Sequence, residues 1–418
     1  MPERGADGLD RFDVAIAGGG PLGRTLALGL ARLGPRGFRV ALIDAEAAGT
    51  GPSGAADARS LALSAASRNL LAALDFWPLL APSVQPIETI EITDSALNAA
   101  LRPHLLGFDN ELGEDGKGAF MVEHGELMRV LAGAVAAEPA ITLYDSNRVT
   151  EFASGPFAIE VALGRGEKIA ASLLVAADGK RSALREEAGI KCVGWSYPQV
   201  GIVTTVAHER PHRGCAVQHF LPSGPFAILP LTGNRSSIVW TEDKDAGAAI
   251  MAASEEVFLA ELGKRFGQRL GALILAGPRQ SFGLDMQIAR SFVAERFALI
   301  GDAAHAVHPL AGQGLNIGMR DVAALTETIV EAARLGLDIG GAVPLERYER
   351  WRRFDSAFSA AVMDGLNRLF SNDSAPLRAL RDLGLGLVDR VPAVKRFLVS
   401  EAAGRTGNVP RLLLGERF

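Results

Sequence analysis

DVAIAGGGPLGRTLALGLARLGPRGFRVALID, residues 13–44, decides the fold class. Asp13 to Ala17 is an apolar run of buried-strand type that enters Gly18-Gly19-Gly20-Pro21-Leu22-Gly23. Gly18, Gly20 and Gly23 satisfy G-x-G-x-x-G. Glycine, however, fills 47 of 418 positions, so chance alone supplies such a match roughly 0.6 times. Context gives the motif its meaning. Pro21 falls at a natural first helical position, Thr25 to Leu33 is helical and apolar, and Gly34 follows as a C-cap. Phe38 to Ile43 reads as a second strand ending in Asp44, about twenty residues after the last glycine. Together these predict a dinucleotide-binding βαβ unit. Gly18 permits the tight turn, Gly20 lets a pyrophosphate approach the backbone, and Gly23 lets helix pack on strand. Asp44 accepts ribose hydroxyls, and its charge would repel a 2′-phosphate in this pocket.

Two later stretches share a grammar. Leu173 to Ala177 is a strand that finishes in Asp178-Gly179 and turns into a helix through Ser182 and Arg185. Phe297 to Ile300 is a strand that breaks at Gly301-Asp302, and Leu315 to Ala333 is a long apolar-periodic helix. Between them lies AHAVHPLAGQG, residues 304–314. An Asp at the carboxyl end of a strand is placed to accept hydrogen bonds from sugar-like hydroxyls. The following helix start offers free N–H groups and the positive end of its dipole. Taken alone, Gly301-Asp302 is equally well a capped turn.

Around these, Asp57-Ala58-Arg59 follows a Gly/Ser/Pro-rich loop, where a guanidinium could reach phosphate or ring oxygens. His124, before the helix Gly125 to Ala137, is either an ordinary N-terminal residue or a cofactor neighbour. Ile87 to Ile92 leaves the nucleotide domain as a strand, and Asp109 to Gly118 is a polar loop. Ile141 to Val175 is a run of short strands. Val200 to Thr241 is β-rich, with Phe220, Phe226 and Leu229 in apolar strands that suit either a sandwich core or the shelter of an apolar ligand. A helix at Ala253 to Phe266 and a strand near Arg279 to Ile288 return the chain to the nucleotide domain. From Leu345 the sequence is mainly helical. Ala379 to Ala402, with Arg381, Arg390, Lys395 and Arg396, reads as a packed helix with solvated charges or as one lying on a membrane surface.

The expected fold class is therefore α/β (α+β overall). A Rossmann-like dinucleotide-binding domain (1–86, 120–190, 288–340) interleaves with a β-sheet substrate domain (87–119, 191–287), and a helical segment follows (341–418). Composition adds exclusions. A formal charge of −5 gives no basic excess, so no nucleic acid partner is expected. Cys192 and Cys215 cannot form a disulfide framework and suit a reducing compartment. No apolar run approaches the ~20 residues of a membrane span, and Met1 to Arg11 has no apolar core of signal-peptide type. A cytoplasmic location is expected, with peripheral contact at the inner face of the membrane as its variant. No metal site is expected.

The three signals in this order resemble the group A flavoprotein aromatic hydroxylases, of the para-hydroxybenzoate hydroxylase fold. Within that family they are most similar to the ring hydroxylases of ubiquinone biosynthesis. The resemblance rests on Asp57-x-Arg59-x-x-Ala62-Leu63-Ser64, on Gly224-Pro225-x-Ala227-x-Leu229-Pro230-Leu231, on Gly301 to Asp321, and on Tyr348 to Asp355 and Asp364 to Phe370. It implies FAD on Gly18, Gly20, Pro21, Leu22, Gly23 and Asp44, with Arg59, His124, Asp178 and Gly179 beside it. It further implies that Gly301 and Asp302 bind the ribityl or pyrophosphate part. Pro309, Gly312, Gln313, Gly314, Leu315 and Asn316 would lie against the flavin ring, Pro309 and Gly312 facing its reactive side. NAD(P)H would reduce the flavin, O2 would convert it to a hydroperoxide, and a polyprenylated phenol, a lipophilic substrate, would receive the oxygen. Phe220, Phe226 and Leu229 are the expected substrate wall. The alternatives are a soluble aromatic substrate, or a catalytically silent flavoprotein subunit of a multi-enzyme quinone-biosynthesis complex.

Overall fold

β1 (Asp10–Ala17) carries an unbroken apolar half whose Val14, Ala15 and Ile16 are fully buried, as a strand covered on both faces requires. α1 (Pro21–Leu33) returns the chain to β2 (Val40–Ile43), parallel to β1. The computed structural model describes residues 8–46, 57–94, 104–111, 116–307, 313–370 and 408–418. β3 (Ser60–Ser64) runs directly into α2 (Ala65–Ala73), and α3 (His124–Ala137) follows after a short strand. β4 (Lys168–Ala176) lies parallel to β1 on the side away from β2 and leads into α4 (Ala183–Glu187).

Four long strands come next: β5 (Cys192–His208), β6 (Cys215–Leu221), β7 (Gly224–Leu231) and β8 (Arg235–Asp243). α5 (Glu255–Phe266), N-capped by the Ser254 hydroxyl, precedes β9 (Gln280–Ala289). The chain then re-enters the first sheet as β10 (Phe297–Leu299), parallel to β4. β11 (His305–Ala306), α6 (Gln313–Arg334) and α7 (Ala342–Phe370) complete the elements that matter here.

Among the described residues there are two large sheets. The first has the parallel order β10-β4-β1-β2, extended by Ile141–Tyr144. These parallel strands point their carboxyl ends to one edge, where ligands of open α/β sheets bind. The second is antiparallel in the order β11-β9-β5-β8-β7-β6, and β6 pairs in parallel with Thr89–Asp94. One face of this second sheet packs Phe226 and Trp240 against Phe258 and Leu262 of α5. The other face places Ala216, Leu229 and Leu231 against Ile87, Met121 and Ala62. The sheet thus has a back sealed by α5 and a front turned to Ile87, Met121 and Ala62. Residues 379–402 lie outside the described residues, as does much of the polar loop after Asp109.

Candidate active site

The site is assembled from three turns at the carboxyl edge of the first sheet. Gly18 has φ +120°, a conformation that a side chain disfavours, and a Cβ there would fall 2.3 Å from the Ala177 carbonyl oxygen. The first glycine turn is thereby pressed onto the end of β4, next to Asp178. A Cβ on Gly23 would meet the Gly18 oxygen at 1.9 Å, so helix and turn are in contact. Gly20 differs: nothing lies within 4 Å of its missing Cβ. Gly20 is also the N-cap of α1 and supplies no side-chain cap, with Pro21 at the first helical position. The amides of the first turn therefore face open space, where an anion fits. Leu22 wedges against both Gly301 and Gly318, whose Cβ positions would each fall 2.3 Å from its Cδ1. This one side chain brings the first turn, the Gly301-Asp302 turn and α6 together.

Asp302 is open to water yet surrounded by protein on most sides. Burial raises its pKa, opposed by the electrostatic influence of His305, Lys180 and Arg59. Those influences place Arg59 and Lys180 around the same cleft. Asp178 is exposed and its pKa is likewise raised by burial, against the Ser182 hydroxyl that bonds it. Gly179, with φ +83°, makes the turn that follows. Arg185, buried behind this turn, donates to the carbonyl oxygens of Lys180 at 3.1 Å and Ala303 at 3.0 Å. It ties the second turn to the third. Asp44 is buried and accepts from Arg24 Nη2 at 2.9 Å.

The two sides of the 308–312 stretch are each pinned by α6. On the carboxyl side, Asn316 Oδ1 accepts from Ser64 N at 2.9 Å and the Ser67 hydroxyl at 2.7 Å, while its Nδ2 donates to Ala62 O at 2.8 Å. The amide of Asn316 thereby fastens α6 to the β3–α2 junction. On the amino side, Asp321 Oδ2 accepts from Gly301 N at 2.9 Å and His305 Nε2 at 2.6 Å. Arg352 Nε donates to Asp321 Oδ1 at 2.8 Å. Gln313, Gly314 and Leu315 form the first turn of α6 and are partly accessible, as a ligand-facing turn must be. Pro309 and Gly312 lie outside the described residues.

The substrate wall needs a correction. Strand alternation puts Phe220 and Leu229 on the front of the second sheet, but Phe226 on its back, fully buried against Trp240 at 6.1 Å between ring centroids. Phe226 belongs to the core under α5. Tyr197 is a front-side residue that sequence reading passed over: it is buried with Leu284, Met286 and Val307, the last of these one step before the 308–312 stretch. It lies within a register shift between Ser196 and Val200, a device that re-aims side chains. Arg24 and Asp57 were also missed. An Arg among the apolar residues of α1 was the available signal for the first, and the D-x-R spacing for the second.

The model of the FAD binding domain family matches residues 11–353. A ubiquinone hydroxylase of Rhodospirillum rubrum is 43% identical over 406 residues, spanning 96% of this chain and 92% of its own. The 3-demethoxyubiquinol 3-hydroxylase of Escherichia coli is 35% identical over 402 residues, 94% of this chain and 98% of its own. Among solved structures, the p-nitrophenol 4-monooxygenase of Pseudomonas putida has the same fold, with a TM-score of 0.78 at 20% identity over 95% of this chain and 99% of that one.

Proposed function

The chain belongs to this FAD-binding family and is an FAD-dependent monooxygenase, and from that premise we propose that it hydroxylates the aromatic ring of a polyprenylated phenol in ubiquinone biosynthesis. The reading is carried by the 43% identity, over nearly the whole of both chains, to a ubiquinone hydroxylase. The open face at Gly20, the uncapped start of α1 and the water-accessible Asp302 fit a dinucleotide with hydroxyls and a pyrophosphate.

When bound, FAD supplies electron transfer and oxygen activation, with NAD(P)H as donor and O2 as co-substrate. The chain's own task is to bind, orient and keep water out. Amides of α1 hold the pyrophosphate, Asp44 the adenosine ribose, and Asp302 the hydroxylated chain between ring and phosphate. The amides of Gln313, Gly314 and Leu315, at the positive end of α6, would oppose negative charge on a bound flavin. Pro309 and Gly312 are assigned to the loop beside that ring. Phe220 and Leu229, on the front of the second sheet, line the substrate side and exclude water. No helix among the described residues is long and apolar enough to cross a membrane.

The test is a mass-spectrometric profile of quinone lipids from cells lacking the gene. The expected result is a prenylated intermediate short of one oxygen, restored to product by the purified FAD-loaded protein with NAD(P)H. An unchanged quinone pool would overturn the substrate while leaving the flavin chemistry intact.

A further inference from the structure

We propose that Asp57 is a positioning residue whose single carboxylate fixes the Arg59 guanidinium and the tautomer of His124, so that both present one set of polar atoms to the cofactor cleft. Asp57 Oδ1 accepts from Arg59 N at 3.0 Å and Nε at 2.9 Å, while Oδ2 accepts from Arg59 Nη2 at 2.7 Å. This is a forked, charge-assisted grip that a neutral amide cannot reproduce. The same Oδ2 lies 2.7 Å from His124 Nδ1. The main chains join as well, for His124 N donates to Arg59 O at 3.1 Å. Thus the approach to β3 and the start of α3 meet on one carboxylate.

The consequence is chemical. Asp57 is held below the usual carboxylate range: burial pushes it up, and Arg59 and His124 outweigh that. An ionised carboxylate only accepts, so His124 must present Nδ1–H to it. Burial and Arg59 keep the ring neutral. Its Nε2 then carries a lone pair, and no described residue donates to it. Arg59, 43% exposed, offers donors on the same side, where it feels the charges of Glu46 and Asp302. One fixed donor fork and one fixed acceptor suit a ligand that carries phosphate oxygens next to hydroxyls. This deepens the FAD reading and rests on it.

The experiment titrates flavin-free protein with FAD by fluorescence quenching, for wild type, Asp57→Asn, Asp57→Glu, His124→Gln and the Asp57→Asn/His124→Gln pair. It is joined by ¹⁵N spectra of the histidine ring. The expected result for Asp57→Asn is an FAD Kd raised about tenfold or more, as for lost orienting partners elsewhere, together with loss of the Nδ1–H tautomer of His124. Asp57→Glu recovers that tautomer, and the double variant is weakened by less than the product of the two single effects. An unchanged Kd in Asp57→Asn, or an Nδ1–H tautomer that persists in it, overturns the proposal. Failure of wild type to bind FAD would overturn the cofactor reading itself, and the proposal with it.

Discussion

Replacing Arg352 by Met tests whether the buried charges behind Gly301 hold the site together. Arg352 is 2% exposed, and its guanidinium donates to Asp321 Oδ1, to Asp355 and, at 3.3 Å, to Ile317 O. Methionine keeps most of the stem's packing and removes the charge. Asp321, fully buried, would be left with Gly301 N and His305 alone. Breaking a buried pair from one side costs about 3–5 kcal/mol. At about 2.1 cal/mol/K per residue over 418 residues, the melting temperature should fall by roughly 3–6 °C. The pH dependence has a definite sign. In the wild type, burial raises the Asp321 pKa, but His305 and Arg352 carry it below the ordinary 3.8. Its contribution is complete above that value and is lost only as pH falls further. Without Arg352 one of the lowering influences is gone, so the folded-state pKa rises and the variant's deficit shrinks as pH falls and the carboxylate takes up a proton. Calorimetric melts of flavin-free protein at neutral pH and at about pH 5 read both effects. Adding Asp321→Asn should return part of the stability, since a neutral pair needs no counter-charge. A variant within about 1 °C of wild type, or a double variant worse than the sum of the singles, would refute the reasoning.

Asp302→Ala should purify largely without flavin yet melt close to wild type, because the carboxylate faces the cleft; full flavin content by absorbance would sink its assignment. Gly20→Ala and Gly23→Ala should separate binding from folding. The first finds nothing within 4 Å and should weaken FAD binding at unchanged stability, whereas the second meets the Gly18 oxygen and should lower both. FAD titration with parallel melts decides. Phe226→Ala should cost about 3–5 kcal/mol without altering substrate KM, while Leu229→Ala should raise KM with a smaller loss of stability; the opposite pattern would put Phe226 on the substrate side after all.

What could be read from the sequence was what local chemistry dictates. The Gly18–Gly23 turn, Pro21 at the helix start and the strand-ending Asp44 each follow from backbone rules that hold wherever the chain folds. The same is true of the Asp178-Gly179 and Gly301-Asp302 strand ends. Phe226 was misplaced for the complementary reason. Alternation along β7 is visible in the sequence, but which of the two faces meets α5 depends on a helix thirty residues away, beyond the reach of period alone. Asn316 was read as a ligand because it sits where ligands sit. Its partners Ala62, Ser64 and Ser67 are some 250 positions earlier in the chain, and no local signal announces them. Arg24 stood in plain view but spends its charge inside the protein on Asp44, and a buried ion pair looks in sequence like two surface charges; Asp57 spends its charge on the exposed Arg59 beside it.

These long-range bonds also explain why the site needs a helix from the last part of the chain. Asp302 accepts hydroxyl hydrogen bonds most strongly as a carboxylate, yet burial raises its pKa and the nearby Asp321 raises it further. His305 opposes this directly. Arg352, on α7, opposes it by cancelling the charge of Asp321 and keeping that carboxylate bound to the Gly301 amide. Asp355 and Arg320 close the same network at 2.8 Å. Arg352, which no nucleotide-binding motif contains, thus bears on the Gly301-Asp302 turn through Asp321. A glycine motif can be recognised in isolation, but the turn that completes its site is braced by a residue of α7.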